Sequence, residues 1–208
     1  MTEGRNILVC GRTGCGKTYL VTRALQQSRR LLVYATKREE SDYPGVYFDG
    51  LVAGERERCW QWWAYSAQRC DKFRIVYHAA NTWDVNEFDR WCKCVYRCGD
   101  MTFVAEEIMS YTTSCQLKSE QGVGFRTLLT AGRTRGCLCW LIAQRPHGIP
   151  VEVRSECREA YLFAMTHPGD IEYIKGAFGP AVAEQVAGLK QYEHVHWTED
   201  GRHEVGKA

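Results

Sequence analysis

Ile7-Leu8-Val9-Cys10-Gly11-Arg12-Thr13-Gly14-Cys15-Gly16-Lys17-Thr18 is the stretch on which the fold turns. It joins an apolar run to a complete G-x-x-x-x-G-K-[ST] loop. The residues that follow, Tyr19 to Gln27, carry Leu20, Ala24 and Leu25 at helical spacing. Strand, loop and helix thus come in the order a phosphate-binding loop requires. The glycines let successive backbone N–H groups of Arg12, Thr13, Gly14, Cys15 and Gly16 point inward at phosphate oxygens, and the helix start adds its positive dipole end. Lys17 is then placed to reach the β- and γ-phosphates of ATP, the Thr18 hydroxyl to ligate Mg²⁺, and Tyr19 to border the nucleotide.

A second apolar segment, Leu31 to Ala35, completes a βαβ opening. Further strands are expected at Val46 to Phe48, Arg74 to His78, Met101 to Ala105, Cys137 to Ala143, Ala160 to Met165 and Glu193 to Trp197. Helices are expected at Glu55 to Arg69, at Val85 to Val95 with Asp84 as cap and Glu87 three residues on, around Phe125 to Leu129, at Asp170 to Ala177 and at Ala181 to Leu189. The polar stretch Ser110 to Gly124 reads as a loop. Strands alternating with helices argue for an open, mostly parallel α/β sheet, and 208 residues suffice for one domain covering the whole chain, 1–208.

Composition narrows the class. Apolar residues make up 45% and charged residues 25%, as in ordinary globular proteins. The longest apolar run, Cys137 to Ala143, is too short to span a bilayer, and no signal-peptide pattern opens the chain, so an intracellular protein without a transmembrane segment is expected. Eleven cysteines, an odd number beside a nucleotide motif, fit a reducing compartment better than a disulfide framework. Cys92, Cys94 and Cys98 lack zinc-site spacing, and His194 and His196 alternate on a strand as packing or surface residues. Net charge is +2, yet residues 1–38 carry +7 and the remainder −5, an excess that suits a triphosphate and a polyanion.

Two further elements carry chemistry. Thr102 to Ala105 is an apolar strand delivering Glu106 and Glu107, about ninety residues after the loop and on a strand expected to neighbour it. Glu106 is suited to support the metal, directly or through water, and Glu107 to orient and polarise the attacking water. The strand from Cys137 ends in Gln144, which beside the loop strand is suited to contact the γ-phosphate or the water.

With these residues the chain resembles the FtsK/HerA group of ring-forming DNA translocases, most closely the genome-packaging ATPases of internal-membrane, double-jelly-roll viruses. The resemblance rests on Gly11-Arg12 in the loop, the strand ending in Glu106-Glu107 where the family has Asp-Glu, a Gly-Arg turn before the strand ending in Gln144-Arg145-Pro146, and the Phe163 strand followed by Pro168-Gly169-Asp170. It implies a RecA-like, additional-strand P-loop NTPase fold with a mostly parallel central sheet flanked by helices. It also implies a bare motor that hydrolyses ATP with Mg²⁺ and moves double-stranded DNA without reading sequence. The implied partners are its own copies in a pentameric or hexameric ring and capsid vertex or portal proteins; the implied location is the host cytoplasm or the virion's packaging vertex.

Such ATPases insert a cationic finger into a neighbour's site. Arg133 and Arg135 are the candidates here, with Arg126 and Arg145 behind them. Lys118 and the hydroxyls of Ser110, Thr112, Thr113, Ser114 and Ser119 are the candidate DNA contacts. Trp60, Trp62, Trp63 and Tyr65 have the chemistry to stack on bases, with core or subunit packing the stronger reading. A Zot-like or mobile-element assembly ATPase would carry similar motifs. From other classes, a nucleotide or small-molecule kinase would need an arginine-rich lid, and a nucleotide-gated assembly factor would not turn over.

Overall fold

The computed structural model describes residues 4–37, 43–81 and 83–208. The chain runs β1 (Arg5–Cys10), α1 (Lys17–Ala24), β2 (Arg30–Ala35), β3 (Val46–Asp49), α2 (Glu55–Arg69), β4 (Phe73–His78), α3 (Val85–Cys98) and β5 (Thr102–Ala105). It continues with α4 (Ser114–Lys118), α5 (Val123–Ala131), β6 (Leu138–Ala143), α6 (Val151–Ser155), β7 (Glu159–Phe163), α7 (Pro168–Phe178), α8 (Pro180–Gly188), β8 (Glu193–Thr198) and β9 (His203–Lys207).

All nine strands join one sheet in the order β3-β4-β2-β5-β6-β1-β7-β8-β9. The first seven are parallel, and β8 and β9 are antiparallel additions at one edge. Strands covered on both faces need apolar side chains at every position, and β1, β2 and β6 are each buried over five consecutive residues. Alternate residues of one strand feed opposite faces. Leu8 and Cys10 enter a large core with α2, α3, α5, α7 and α8, whereas Ile7 and Val9 enter a smaller one with Val21 of α1. Among the helices described, α1 alone contributes to the smaller core.

Aromatic packing dominates the larger core. Tyr34 meets Tyr77, Phe88 and Tyr111 at ring-centre distances of 5.9, 5.3 and 5.4 Å. Trp60 stacks on Trp91 at 3.6 Å, and Trp63 packs edge-on against Phe73 and Trp91. Trp62 lies against Phe48, which leaves Tyr65 as the exposed member of that cluster.

Two expectations need correction. The stretch Ser110 to Gly124 is not a loop: it contains α4 flanked by 3₁₀ turns at Ile108–Ser110 and Glu120–Gly122. Buried Tyr111 and Leu117 anchor it to the core, and two buried apolar residues in a polar stretch are too sparse for a periodic signal. Strand β9 falls in a charged, half-exposed hairpin arm that has no apolar face to betray it. The cap of α3 is as expected, with the Asp84 carboxylate accepting from Glu87 N–H at 3.0 Å. The Glu87 side chain, however, turns to Tyr77 Oη instead of closing the box.

Candidate nucleotide site

The loop after β1 is built by its glycines. Gly14 and Gly16 have φ of +78° and +106°, left-handed values that side chains resist. At Gly11 the obstacle is space, since a Cβ there would lie 2.6 Å from Phe163 Cβ and 2.7 Å from Cys15 Sγ. Lys17 opens α1 and is nine-tenths buried, and its ammonium donates to the Gly11 and Arg12 carbonyls at 2.6 and 2.9 Å. The lysine thus folds over its own loop, holding a positive charge where the helix dipole is also positive.

Strand order brings the rest together. Strand β6 lies between β1 and β5, with Cys10 level with Ala143 and Ala105 level with Leu141. The expectation that the acidic strand neighbours the loop strand is therefore corrected: one strand intervenes, and it is the one that ends at Gln144. Short loops leaving three adjacent parallel strands bring Gly11, Glu106 and the end of β6 to the same edge, where the exposed Gln144 is not among the described residues lining the cleft.

The two glutamates differ sharply. Glu106 is 6% exposed, and both of its carboxylate oxygens are engaged: one accepts from Tyr43 Oη at 2.8 Å, the other from Thr36 N–H at 3.0 Å and Thr36 Oγ1 at 3.4 Å. Glu107 sits at φ +47°, an uncommon conformation for a residue with a side chain, and no hydrogen bond or ion pair among the described residues engages its carboxylate. Both line one cleft of about 270 Å³ together with Thr13, Gly14, Gly16, Lys17, Thr18, Tyr19, Lys37, Ile142 and Tyr192. The donor set suits Mg²⁺: a hydroxyl at Thr18 and carboxylate oxygen at Glu106, with no ready-made cluster of three or more acidic, His or Cys ligands among the described residues. A hard cation that keeps water and phosphate oxygens in its shell needs no such cage.

No protein-family model matches the sequence, and no curated protein matches it. Solved structures do. The genome packaging NTPase B204 of Sulfolobus turreted icosahedral virus 2, in complex with ATP-gammaS, superposes with a TM-score of 0.78 at 17% identity over 100% of this chain and 98% of that one. VirB4 of Thermoanaerobacter pseudethanolicus gives 0.64 at 10% identity over 97% and 88% of the two chains. The N-terminal domain of zonular occludens toxin from Neisseria meningitidis gives 0.53 at 12% over 99% and 95%. The fold is the one these proteins share, with a phosphate-binding loop after its first strand.

Within this fold, the arginine turn lies far from the cleft. Arg133 and Arg135 occupy a 3₁₀ turn, Gly132–Arg135, at the amino end of β6, and the Arg133 backbone packs against Gly4 at the start of β1. The six residues of β6 separate this turn from Gln144, about 20 Å of strand. The Arg135 guanidinium donates to the Tyr96 and Arg97 carbonyls at the end of α3, whereas that of Arg133 is exposed with no side-chain bond among the described residues. Arg126 donates to the Leu117 carbonyl, and Arg145, next to Gln144, pairs with buried Asp170 at 3.2 Å. Lys118 is exposed and lies 3.6 Å from Glu152.

The remaining sequence candidates are packing residues. The cysteines are all free thiols; burial pushes that of Cys137 up to about 11 and that of Cys157 to about 12, so the buried ones serve as small apolar side chains, whereas Cys115 is exposed. Burial likewise raises Cys92, Cys94 and Cys98, and Cys98 Sγ accepts from Arg30 instead of a metal. His194 is buried against Phe163, with burial lowering its basicity, and His196 stacks on Tyr161 at 4.4 Å. Sequence reasoning missed Lys37 and Tyr192 in the cleft. Lys37 follows a parallel strand's carboxyl end and was findable on that ground; Tyr192 sits in a turn far along the chain and gave no signal.

Proposed function

We propose that this chain hydrolyses ATP to move double-stranded DNA into a viral capsid. In this reading it works as a homo-oligomeric ring of five or six subunits at a capsid vertex or portal, in the host cytoplasm or on the virion. The carrying observation is the full-length likeness to a viral genome packaging NTPase, together with a free carboxylate, Glu107, in the cleft that holds Lys17 and Thr18. Lys17 and the loop N–H groups hold the phosphates, and Glu107 takes the proton of the water whose oxygen attacks the γ-phosphorus as the bond to the β-phosphate oxygen breaks. Gln144 orients that water or the γ-phosphate. Bound magnesium would neutralise phosphate charge, held by the Thr18 hydroxyl with Glu106 beside it.

DNA contact falls to Lys118 and the hydroxyls of Thr113 and Ser114 around α4, which touch phosphates and read no bases. The test is phosphate release with and without duplexes of unrelated sequence. Turnover should rise with any duplex, and the stimulation should fall steeply with added salt as phosphate contacts release counterions. Lys118→Ala should lose several-fold of the stimulated rate and much less of the basal rate. Turnover indifferent to duplex DNA would reject the translocase reading; transfer of phosphate to a small acceptor instead of water would make the protein a kinase.

A further inference from the structure

Lys37 is the cation of the cleft that the phosphate loop does not account for. It follows β2 at the carboxyl end of the parallel strands, with β6 and β5 standing between it and the loop strand. The backbone that delivers it is held from both sides. The Tyr34 carbonyl accepts from Glu106 N–H at 3.1 Å, and the Ala35 carbonyl accepts from Ala79 N–H at 3.1 Å. Thr36 then donates both its N–H and its hydroxyl to the Glu106 carboxylate, which fixes the start of Lys37 beside the paired glutamates.

The charges in the cleft divide into engaged and unengaged ones. Lys17 commits its ammonium to the Gly11 and Arg12 carbonyls at 2.6 and 2.9 Å, and Glu106 is taken by Thr36 and Tyr43. Lys37 is exposed and has no hydrogen bond or ion pair among the described residues. The Glu107 carboxylate has none either, although both side chains line the same cleft of about 270 Å³. Opposite charges that share a cleft without pairing are placed to act on a third group between them. The nearest arginine in sequence to that edge, Arg145, is paired with Asp170 and does not line the cleft.

We propose that Lys37 is a catalytic residue acting within its own chain, contacting a γ-phosphate oxygen from the side opposite the phosphate loop. This rests on the hydrolase reading above and adds a residue to its site. The water oxygen bonds to the γ-phosphorus, the bond to the β-phosphate oxygen breaks, and Glu107 takes the water's proton, so that ADP and inorganic phosphate leave. Lys37 transfers no proton. Its ammonium donates hydrogen bonds to the equatorial oxygens, where charge is spread as the phosphoryl group transfers, and a cation already fixed there stabilises that charge without reorganising.

The test is steady-state phosphate release, with and without duplex DNA, by the full chain and by Lys37→Met and Lys37→Arg, beside equilibrium binding of ADP in Mg²⁺. Lys37→Met keeps the length without the charge and should lower kcat about 10²-fold. Its KM for ATP should hardly move, because the contact acts mainly in the transition state. Lys37→Arg restores a cation and should recover most of the rate. ADP has no γ-phosphate, so its affinity should be the same in all three chains. Mixing Lys37→Met with Lys17→Ala chains should restore nothing, since both lysines serve the cleft of their own chain. A wild-type kcat in Lys37→Met overturns the proposal, as does an arginine variant no faster than the methionine one. Loss of ADP affinity in step with kcat would make Lys37 a support of the site, and rescue on mixing would place it in a neighbour's cleft; either also overturns it. Turnover that needs Lys17 and Glu107 but not Lys37 rejects this proposal alone, whereas a wild-type chain that releases no phosphate rejects the hydrolase reading and this one with it.

Discussion

The phosphate loop and the arginine turn stand at opposite ends of the same central strands, and they differ in kind as candidate sites. The loop is complete in itself: consecutive residues supply its glycines, its lysine and its helix start, and Lys17 is held by carbonyls five and six residues away. The arginine turn is incomplete. It lies a full strand's length from the cleft of its own chain, so any catalytic use of Arg133 or Arg135 requires a second copy. A site assembled from contiguous residues survives isolation, whereas one assembled across subunits depends on concentration and geometry.

The largest expected effect attacks the self-contained end. Lys17→Ala removes the cation that neutralises the β- and γ-phosphates and should abolish turnover while the fold remains, seen as an unchanged circular dichroism spectrum beside absent phosphate release. Wild-type turnover by that variant would undo the nucleotide-site assignment.

Next comes the dependent end. Arg133→Ala chains should lose on the order of 10³-fold in turnover alone and regain part of it when mixed with Lys17→Ala chains, because some interfaces then join an intact loop to an intact finger. Arg135 has its guanidinium committed to the end of α3, so its substitution is expected to cost stability of that turn and to show weaker rescue. Absence of rescue for both would turn the search to Arg126 and Arg145.

The third effect, about 10²- to 10⁴-fold, separates the glutamates. Glu107→Gln should retain ATP and stall before hydrolysis. Glu106→Gln keeps the contacts with Thr36 and Tyr43 in part and should weaken magnesium dependence, read as a higher Mg²⁺ concentration for half-maximal turnover. If Glu106→Gln stalls hydrolysis and Glu107→Gln does not, their roles are reversed.

Sequence by itself determined much of this protein. The loop from Gly11 to Thr18, the apolar runs of the parallel strands, the cap at Asp84 and the paired glutamates are local statements, written in adjacent residues because backbone geometry and burial on both sheet faces act locally. Tertiary structure alone decided the rest. That β6 separates β1 from β5 is a matter of strand order. That Glu106 is clamped by Thr36 and Tyr43 while its neighbour is unengaged depends on what the residue after β2 and a residue three positions before β3 bring alongside. That the arginine turn faces away from its own cleft follows from the parallel pairing of β1 and β6, which sends the amino ends of both strands to the same side. Tyr192 reaches Gly16 because β8 runs antiparallel to β7, which sets the start of β8 beside Phe163 at the end of β7. Contacts between residues so distant in sequence arise from packing the whole sheet, and no local pattern encodes them.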